Sequence, residues 1–127
     1  MSQQVFGNGT KGGETLASVR DFVGQEQMIQ RLAETFKVLG DPLRLKIIYA
    51  LARTELCVGD LSGLLGARES KVSQQLRILR AMHLVKYRRD GKLSYYSLDD
   101  QHIQRVFLDG LEHVREQLLR EENSLRI

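Results

Sequence analysis

Residues 58–98, VGDLSGLLGARESKVSQQLRILRAMHLVKYRRDGKLSYYSL, decide the fold. Val58 to Leu65 reads as a short helix with Asp60, Leu61, Leu64 and Leu65 inside it. Gly66-Ala67 turns the chain, and Glu69 or Ser70 opens a longer helix that reaches about Met82. Its apolar residues (Val72, Leu76, Leu79, Met82) recur three and four apart, the period of a helix with one buried face. Ser70, Lys71, Ser73, Gln74, Gln75, Arg77 and Arg80 form its polar set. A short helix, a glycine-containing turn and a second helix with a polar outer face make a helix-turn-helix. Leu84 to Arg89 and Lys92 to Leu98 then flank Asp90-Gly91. An Asp-Gly pair between β-rich runs signals a tight hairpin, because both residues tolerate positive φ. Arg88, Arg89 and Lys92 are expected at its tip. The predicted class is therefore mainly α with a β-hairpin wing, a winged helix-turn-helix.

Upstream, Met28, Ile29, Leu32, Phe36 and Leu39 recur at helical spacing over residues 25–39. Gly40-Asp41-Pro42 ends that helix: glycine suits a C-terminal cap and proline the first turn of the next helix. Leu43 to Ala52 continues as a second helix, with Leu43, Ile47, Ala50 and Leu51 on one side. Downstream, Asp99 or Asp100 caps a last helix reaching about Arg120, whose apolar stripe is Ile103, Phe107, Leu111, Val114 and Leu118. Gly7, Gly9, Gly12 and Gly13, mixed with Ser, Gln and Thr, read as a flexible tail. The expected organisation is a flexible N-terminal tail over 1–24, one domain over 25–122 and a C-terminal tail over 123–127, without internal repeats.

A chain of 127 residues, 42% hydrophobic and 28% charged, has the size and balance of one globular domain. Chains this short bury roughly two-thirds of their unfolded surface, so dimerisation would enlarge the core. One cysteine excludes an intramolecular disulfide framework and a multi-cysteine zinc module. No apolar run approaches the ~20 residues of a membrane span. The first residues lack a signal-peptide layout. A soluble, cytoplasmic protein with no membrane partner is expected. The formal net charge of +3 hides an uneven distribution. Residues 68–98 carry eight basic and two acidic side chains, residues 99–127 four basic and seven acidic, and residues 1–67 seven of each. A segment of net charge +6 attracts a phosphate backbone, because each neutralised phosphate releases condensed counterions. Ser70, Ser73, Gln74 and Arg77 share the face expected in the major groove, with Lys71 completing the helix's DNA-binding set. Arg88, Arg89 and Lys92 are the expected phosphate contacts of the hairpin. Double-stranded DNA is the expected partner; the alternative is the same fold serving as a protein-docking module.

The last helix carries a second pattern: Asp100-x-His102, ten residues, then His113-x-x-Glu116. At 100° per residue, His113 lies about 20° from His102 and Glu116 about 40° to the other side. His102, His113 and Glu116 lie on one stripe, roughly opposite the apolar one, with Asp100 at the helix start, and these oxygen and imidazole donors suit zinc. Cobalt or nickel also fit such donors. Eleven residues of helix span about 16.5 Å, whereas zinc–ligand bonds are about 2 Å. One helix therefore cannot close a site from both pairs. An antiparallel second copy can, with Asp100 and His102 of one chain meeting His113 and Glu116 of the other. This reading makes the protein a homodimer through its terminal helices. The plainer alternative is a solvated surface with an ordinary i, i+3 pair. His83, at the end of the longer helix, is expected to be structural or solvent-facing.

LAETFKVLGDPLRLKIIYAL (32–51), ELCVGDL (55–61), residues 69–98 and DDQHIQRVFLDGLEHVRE (99–116) together resemble the ArsR/SmtB family of metal-sensing transcriptional repressors. The resemblance covers about residues 28–120. It implies a dimeric winged helix that binds operator DNA without metal and releases it when metal binds. Its zinc-sensing members use Asp-x-His and His-x-x-Glu or His on the last helix, which Asp100, His102, His113 and Glu116 match. The family's thiolate-rich site needs further cysteines near ELCV, where only Cys57 stands and Gly59 replaces a second one. Cys57 is therefore expected to be a small core residue. The family also suggests that His113 reaches a backbone carbonyl of the recognition helix near Arg77. The alternative within the family is a DNA-binding regulator that is metal-insensitive or answers a non-metal signal. An enzyme is not expected, since no nucleophile–base pair or phosphate loop is present and a four-ligand metal site leaves no open position. No small organic substrate is expected.

Overall fold

The computed structural model describes residues 9–125. The chain divides into two units, Met1–Lys37 and Val38–Ile127. The first holds helix α1 (Gly9–Val23) and most of helix α2 (Glu26–Leu39). The expected tail over 1–24 is thus helical from Gly9. Leu16, Val19, Phe22 and Val23 recur at helical spacing there, and the upstream glycines mask that period in the sequence. The four residues keep their apolar groups exposed, as do Met28, Leu32 and Phe36 on α2, which has no buried residue. Met1 to Asn8, the start of the expected tail, lie outside the described residues.

The second unit runs α3 (Pro42–Arg53), β1 (Leu56–Cys57), α4 (Val58–Leu65), α5 (Glu69–Ala81), β2 (Val85–Asp90), β3 (Leu93–Leu98) and α6 (Gln101–Leu125). The break before α3 is set by proline rather than by glycine. Asp41 precedes Pro42 in an extended conformation (φ −110°, ψ 131°), which the proline ring enforces on its neighbour. The Asp41 carboxylate then accepts from the Arg44 N–H at 3.1 Å and caps α3. Gly40 does not take the left-handed C-cap conformation expected of it. Helix α6 is longer than expected, continuing through the residues read as a C-terminal tail as far as Leu125.

Ile47, Ile48 and Leu51 from α3, Leu61 from α4, and Val72, Leu76 and Leu79 from α5 form the core with Leu84 and Val85. Each such aliphatic group contributes roughly 1.5–3 kcal/mol on burial. Ile103 and Phe107 of α6 pack against this core, and the Phe107 ring lies 5.9 Å from that of Tyr49. Beyond Leu111, α6 exposes Val114, Leu118 and Leu119. No helix of the described residues is long and apolar enough to cross a membrane.

The sheet has three strands, in the order β1-β3-β2, and both pairings are antiparallel. The hairpin matches expectation, but its loop is displaced by one residue. Asp90 pairs with Leu93, so Gly91-Lys92 is the two-residue loop and Gly91 supplies the positive φ of 64° at its first position. The third strand, β1, was not expected: two residues are too short for a period to show.

Helix α5 ends in a double hydrogen-bonded cap. The Leu84 N–H donates to the Leu79 carbonyl at 2.9 Å and the His83 N–H to the Arg80 carbonyl at 3.0 Å. The residue between helix and strand must then be left-handed, and here it is His83, with φ 59°. His83 is exposed, and this backbone position is its structural role. An L-residue there carries a steric cost that glycine avoids, partly offset by glycine's greater unfolded-state entropy. His83→Gly should therefore stabilise the fold by about 0.5–1 kcal/mol. Urea denaturation at fixed protein concentration measures this, and a lower midpoint would contradict it.

Candidate functional site

The α4–turn–α5 unit presents the polar side of α5. Gly66 takes the left-handed conformation (φ 63°) that ends α4 after two turns. The Ser62 hydroxyl donates to the Ala67 carbonyl across the turn. With Val72, Leu76 and Leu79 buried, the opposite side of α5 faces out: Ser70, Lys71, Gln74 and Arg77 are exposed, and Ser73 is half-buried at the edge. This puts four of the five expected helix contacts on an open surface.

Gln75 departs from expectation. Read as part of the polar face, it is 95% buried, and its Oε1 accepts from Arg44 Nε at 2.7 Å. Arg44 Nη1 also donates to the Val38 carbonyl at 3.3 Å. A buried amide needs such a partner, and a charged donor makes the bond stronger. Arg44 and Gln75 thus tie the start of α3 and the Val38 carbonyl to the helix that carries the exposed polar residues. The signal was present in the sequence: Gln75 stands three residues after Val72 and four before Leu79, on the apolar stripe.

On the wing, Arg89 and Lys92 are exposed, with Lys92 in the loop. Arg80 of α5 stacks over the Tyr87 ring, 4.3 Å from its centroid, and ties helix to wing. Arg88 is not at the tip. It pairs with Tyr95, with Arg89 and Asp90 between it and the loop, and its guanidinium binds the Glu55 carboxylate through contacts of 2.9 to 3.1 Å. That hydrogen bond and the Glu55 charge raise the Arg88 pKa further above its already high ordinary value. Glu55 stands 33 residues away in sequence, and only the unforeseen β1 strand brings it near the wing.

Cys57 is buried at the start of α4, as expected of a core residue. The metal-ligand pattern lies on α6 and the residue before it. Asp100 is the N-cap: its Oδ1 accepts from the His102 and Ile103 N–H groups at 2.9 and 3.2 Å. The Ile103 bond, followed by that from His102, holds the Asp100 carboxyl below the usual carboxylate range. His102 Nδ1 lies 3.5 Å from the same oxygen, and Oδ2 has neither of these bonds. His113 and Glu116 are exposed, and Glu116 Oε1 lies 3.9 Å from Arg120 Nη2. Because α6 is one unbroken helix from Gln101 to Leu125, His102, His113 and Glu116 share a face, with Asp100 at the N-cap, and the two pairs stand three turns apart. No group of three or more His, Cys, Asp or Glu among the described residues can hold a metal within one chain. His113 is exposed in the single chain.

Residues 41–87 match the family model described as bacterial regulatory protein, arsR family. The chain is 46% identical over 103 residues to the transcriptional repressor SmtB homolog of Synechocystis, covering 81% of this chain and 78% of that one. The chain belongs to the arsR family of bacterial regulators. The cadmium resistance transcriptional regulatory protein CadC homolog of Staphylococcus aureus is 41% identical over 67% of this chain and 71% of its own. Among solved structures, the homodimeric winged helix-turn-helix DNA-binding domain of a possible ArsR-family regulator from Mycobacterium bovis superposes with a TM-score of 0.70. It is 26% identical and covers 74% of this chain and 87% of that one. This arsR-family chain is accordingly a winged helix-turn-helix DNA-binding regulator and not an enzyme.

The cap on α6 separates two roles of Asp100. Asp100→Ala should cost about 1 kcal/mol of stability, whereas Asp100→Asn, an equally good N-cap, should cost only a few tenths. Thermal melting compares them, and equal losses would show that capping is not what the carboxylate contributes.

Proposed function

We propose that this protein is a metal-responsive transcriptional repressor that binds operator DNA as a homodimer in the cytoplasm and lets go when zinc binds. The observation that carries this reading is the pair of exposed donor sets, Asp100 with His102 at the start of an unbroken helix and His113 with Glu116 three turns further on. A second copy running antiparallel would bring the sets together, giving two four-ligand sites per dimer. The donor chemistry fits: two imidazoles and two carboxylates match zinc, with cobalt or nickel as alternatives, and one oxygen of Asp100 is spared by the cap. The exposed apolar residues Met28, Leu32, Phe36, Val114 and Leu118 support self-association, since a monomer seldom exposes so many. A thiolate cage is disfavoured, because Cys57 is a single buried sulfur.

On DNA, Ser70, Lys71, Ser73, Gln74 and Arg77 would meet the major groove, and Arg89 and Lys92 the backbone. Two recognition helices must match successive major grooves, so a change in dimer shape would weaken binding. Zinc spanning both α6 helices would select one such shape. A tenfold loss of operator occupancy needs a coupling of only about 1.4 kcal/mol.

Anisotropy on a duplex selected from a random-sequence pool tests this, with and without zinc. Zinc should weaken binding at least tenfold in the wild type. His113→Ala should bind the duplex as tightly as wild type and no longer respond. Asp100→Asn should keep its fold and bind zinc more weakly. Loss of DNA binding in His113→Ala would sink this account. Stoichiometric zinc binding without a change in DNA affinity would favour the metal-silent alternative.

A further inference from the structure

Arg88 and Arg89 are neighbours, and a strand sends neighbours to opposite faces. Directly paired residues of adjacent strands share a face. The register Arg88 with Tyr95 and Tyr95 with Cys57 therefore puts these three on one side of the sheet. Arg88 spans the Tyr95 ring, its guanidinium carbon 5.2 Å from the ring centre, and ends on Glu55, which precedes β1. Nε donates to both Glu55 oxygens, at 2.9 and 3.1 Å, and Nη2 donates to Oε1 at 2.9 Å. Nη1 lies 3.8 Å from the Asp90 carboxylate. All three guanidinium nitrogens thus face a carboxylate. Among the described residues, Arg89 and Lys92 enter no ion pair. Arg89 shares instead the face of Tyr87, which Arg80 of α5 covers.

A phosphate engages an arginine through the same planar fork that Glu55 occupies. We propose that Glu55 is an internal stand-in for a backbone phosphate: it keeps Arg88 off the DNA and leaves Arg89 and Lys92 as the wing's phosphate ligands. This rests on the DNA-binding reading and refines it. Phosphate contacts supply sequence-independent affinity. Withholding one cation lowers binding to any duplex alike, and the share owed to base contacts rises.

The test is the slope of log K against log salt concentration for a random-sequence duplex. Each phosphate contact contributes about 0.9 to that slope. Arg89→Gln removes one contact from each protomer of the dimer and should lose about 1.8, and Arg88→Gln should lose nothing. Glu55→Gln should gain about 1.8 through the two freed Arg88 side chains of the dimer and bind several-fold tighter at low salt. Glu55→Ala, which cannot hold Arg88 either, should behave the same way. Glu55→Gln/Arg88→Gln should return to the wild-type slope. A loss of about 1.8 in Arg88→Gln, with Glu55→Gln unchanged, would mean that phosphate displaces Glu55 and would overturn the proposal. A steeper slope in Glu55→Gln that survives removal of Arg88 would overturn it too. A flat salt dependence in the wild type would instead count against DNA binding itself.

Discussion

Val72, Leu76 and Leu79 seat one side of α5 in a core supplied by Ile47, Ile48 and Leu51 of α3 and Leu61 of α4. The exposed polar surface of α5 depends on that seating. A helix advances 100° per residue, so burying positions 72, 76 and 79 leaves 70, 74 and 77 on the far side. Each buried aliphatic group is worth roughly 1.5–3 kcal/mol, whereas exposed polar groups contribute a few tenths. Rolling the helix by one residue would take Lys71 or Arg77 inward and lose several such groups at once. The polar face is therefore chosen by the apolar one. Gln75 refines the seating, because its bond to Arg44 can form at only one rotation of the helix.

The parts of this fold that were legible in the sequence are those with a period or a turn signal. Helices α2 to α6 show the 3.6-residue repeat, Asp90-Gly91 between β-rich runs marks the hairpin, and the Asp41-Pro42 step marks a break that the backbone obeys. What escaped has a physical reason in each case. Helix α1 begins among glycines, which carry no side chain to show a face. Strand β1 is two residues long. The hairpin loop sits one residue later than Asp-Gly implies, because Asp90 keeps its place in the ladder. The Glu55–Arg88 contact joins residues far apart in the chain, and no local pattern encodes it. The donor spacing on α6 was legible, but its meaning depends on a second chain.

Helix α6 does two different jobs along its length. Its first half is part of the domain, through Ile103 and Phe107. Its second half, from Val114 onward, exposes apolar groups that the domain leaves uncovered. The donor pairs straddle this change, one near each regime. A rigid rod set into the core at one end transmits displacement at the other with little loss, since interiors packed at crystal-like density yield little.

Strand β1 is only two residues long, yet it joins ends of the chain that enclose all of α4, α5 and β2, with Leu56 set against Tyr96. The helix-turn-helix and the hairpin thus lie within one closed ring of chain. Closing such a ring costs entropy that grows only slowly with its length, and that cost falls on the ring as a whole. Its members then share one opening free energy, as a cooperative folding unit does, rather than fraying piece by piece. The surface that would read DNA and the wing that would grip its backbone are either both in place or both absent.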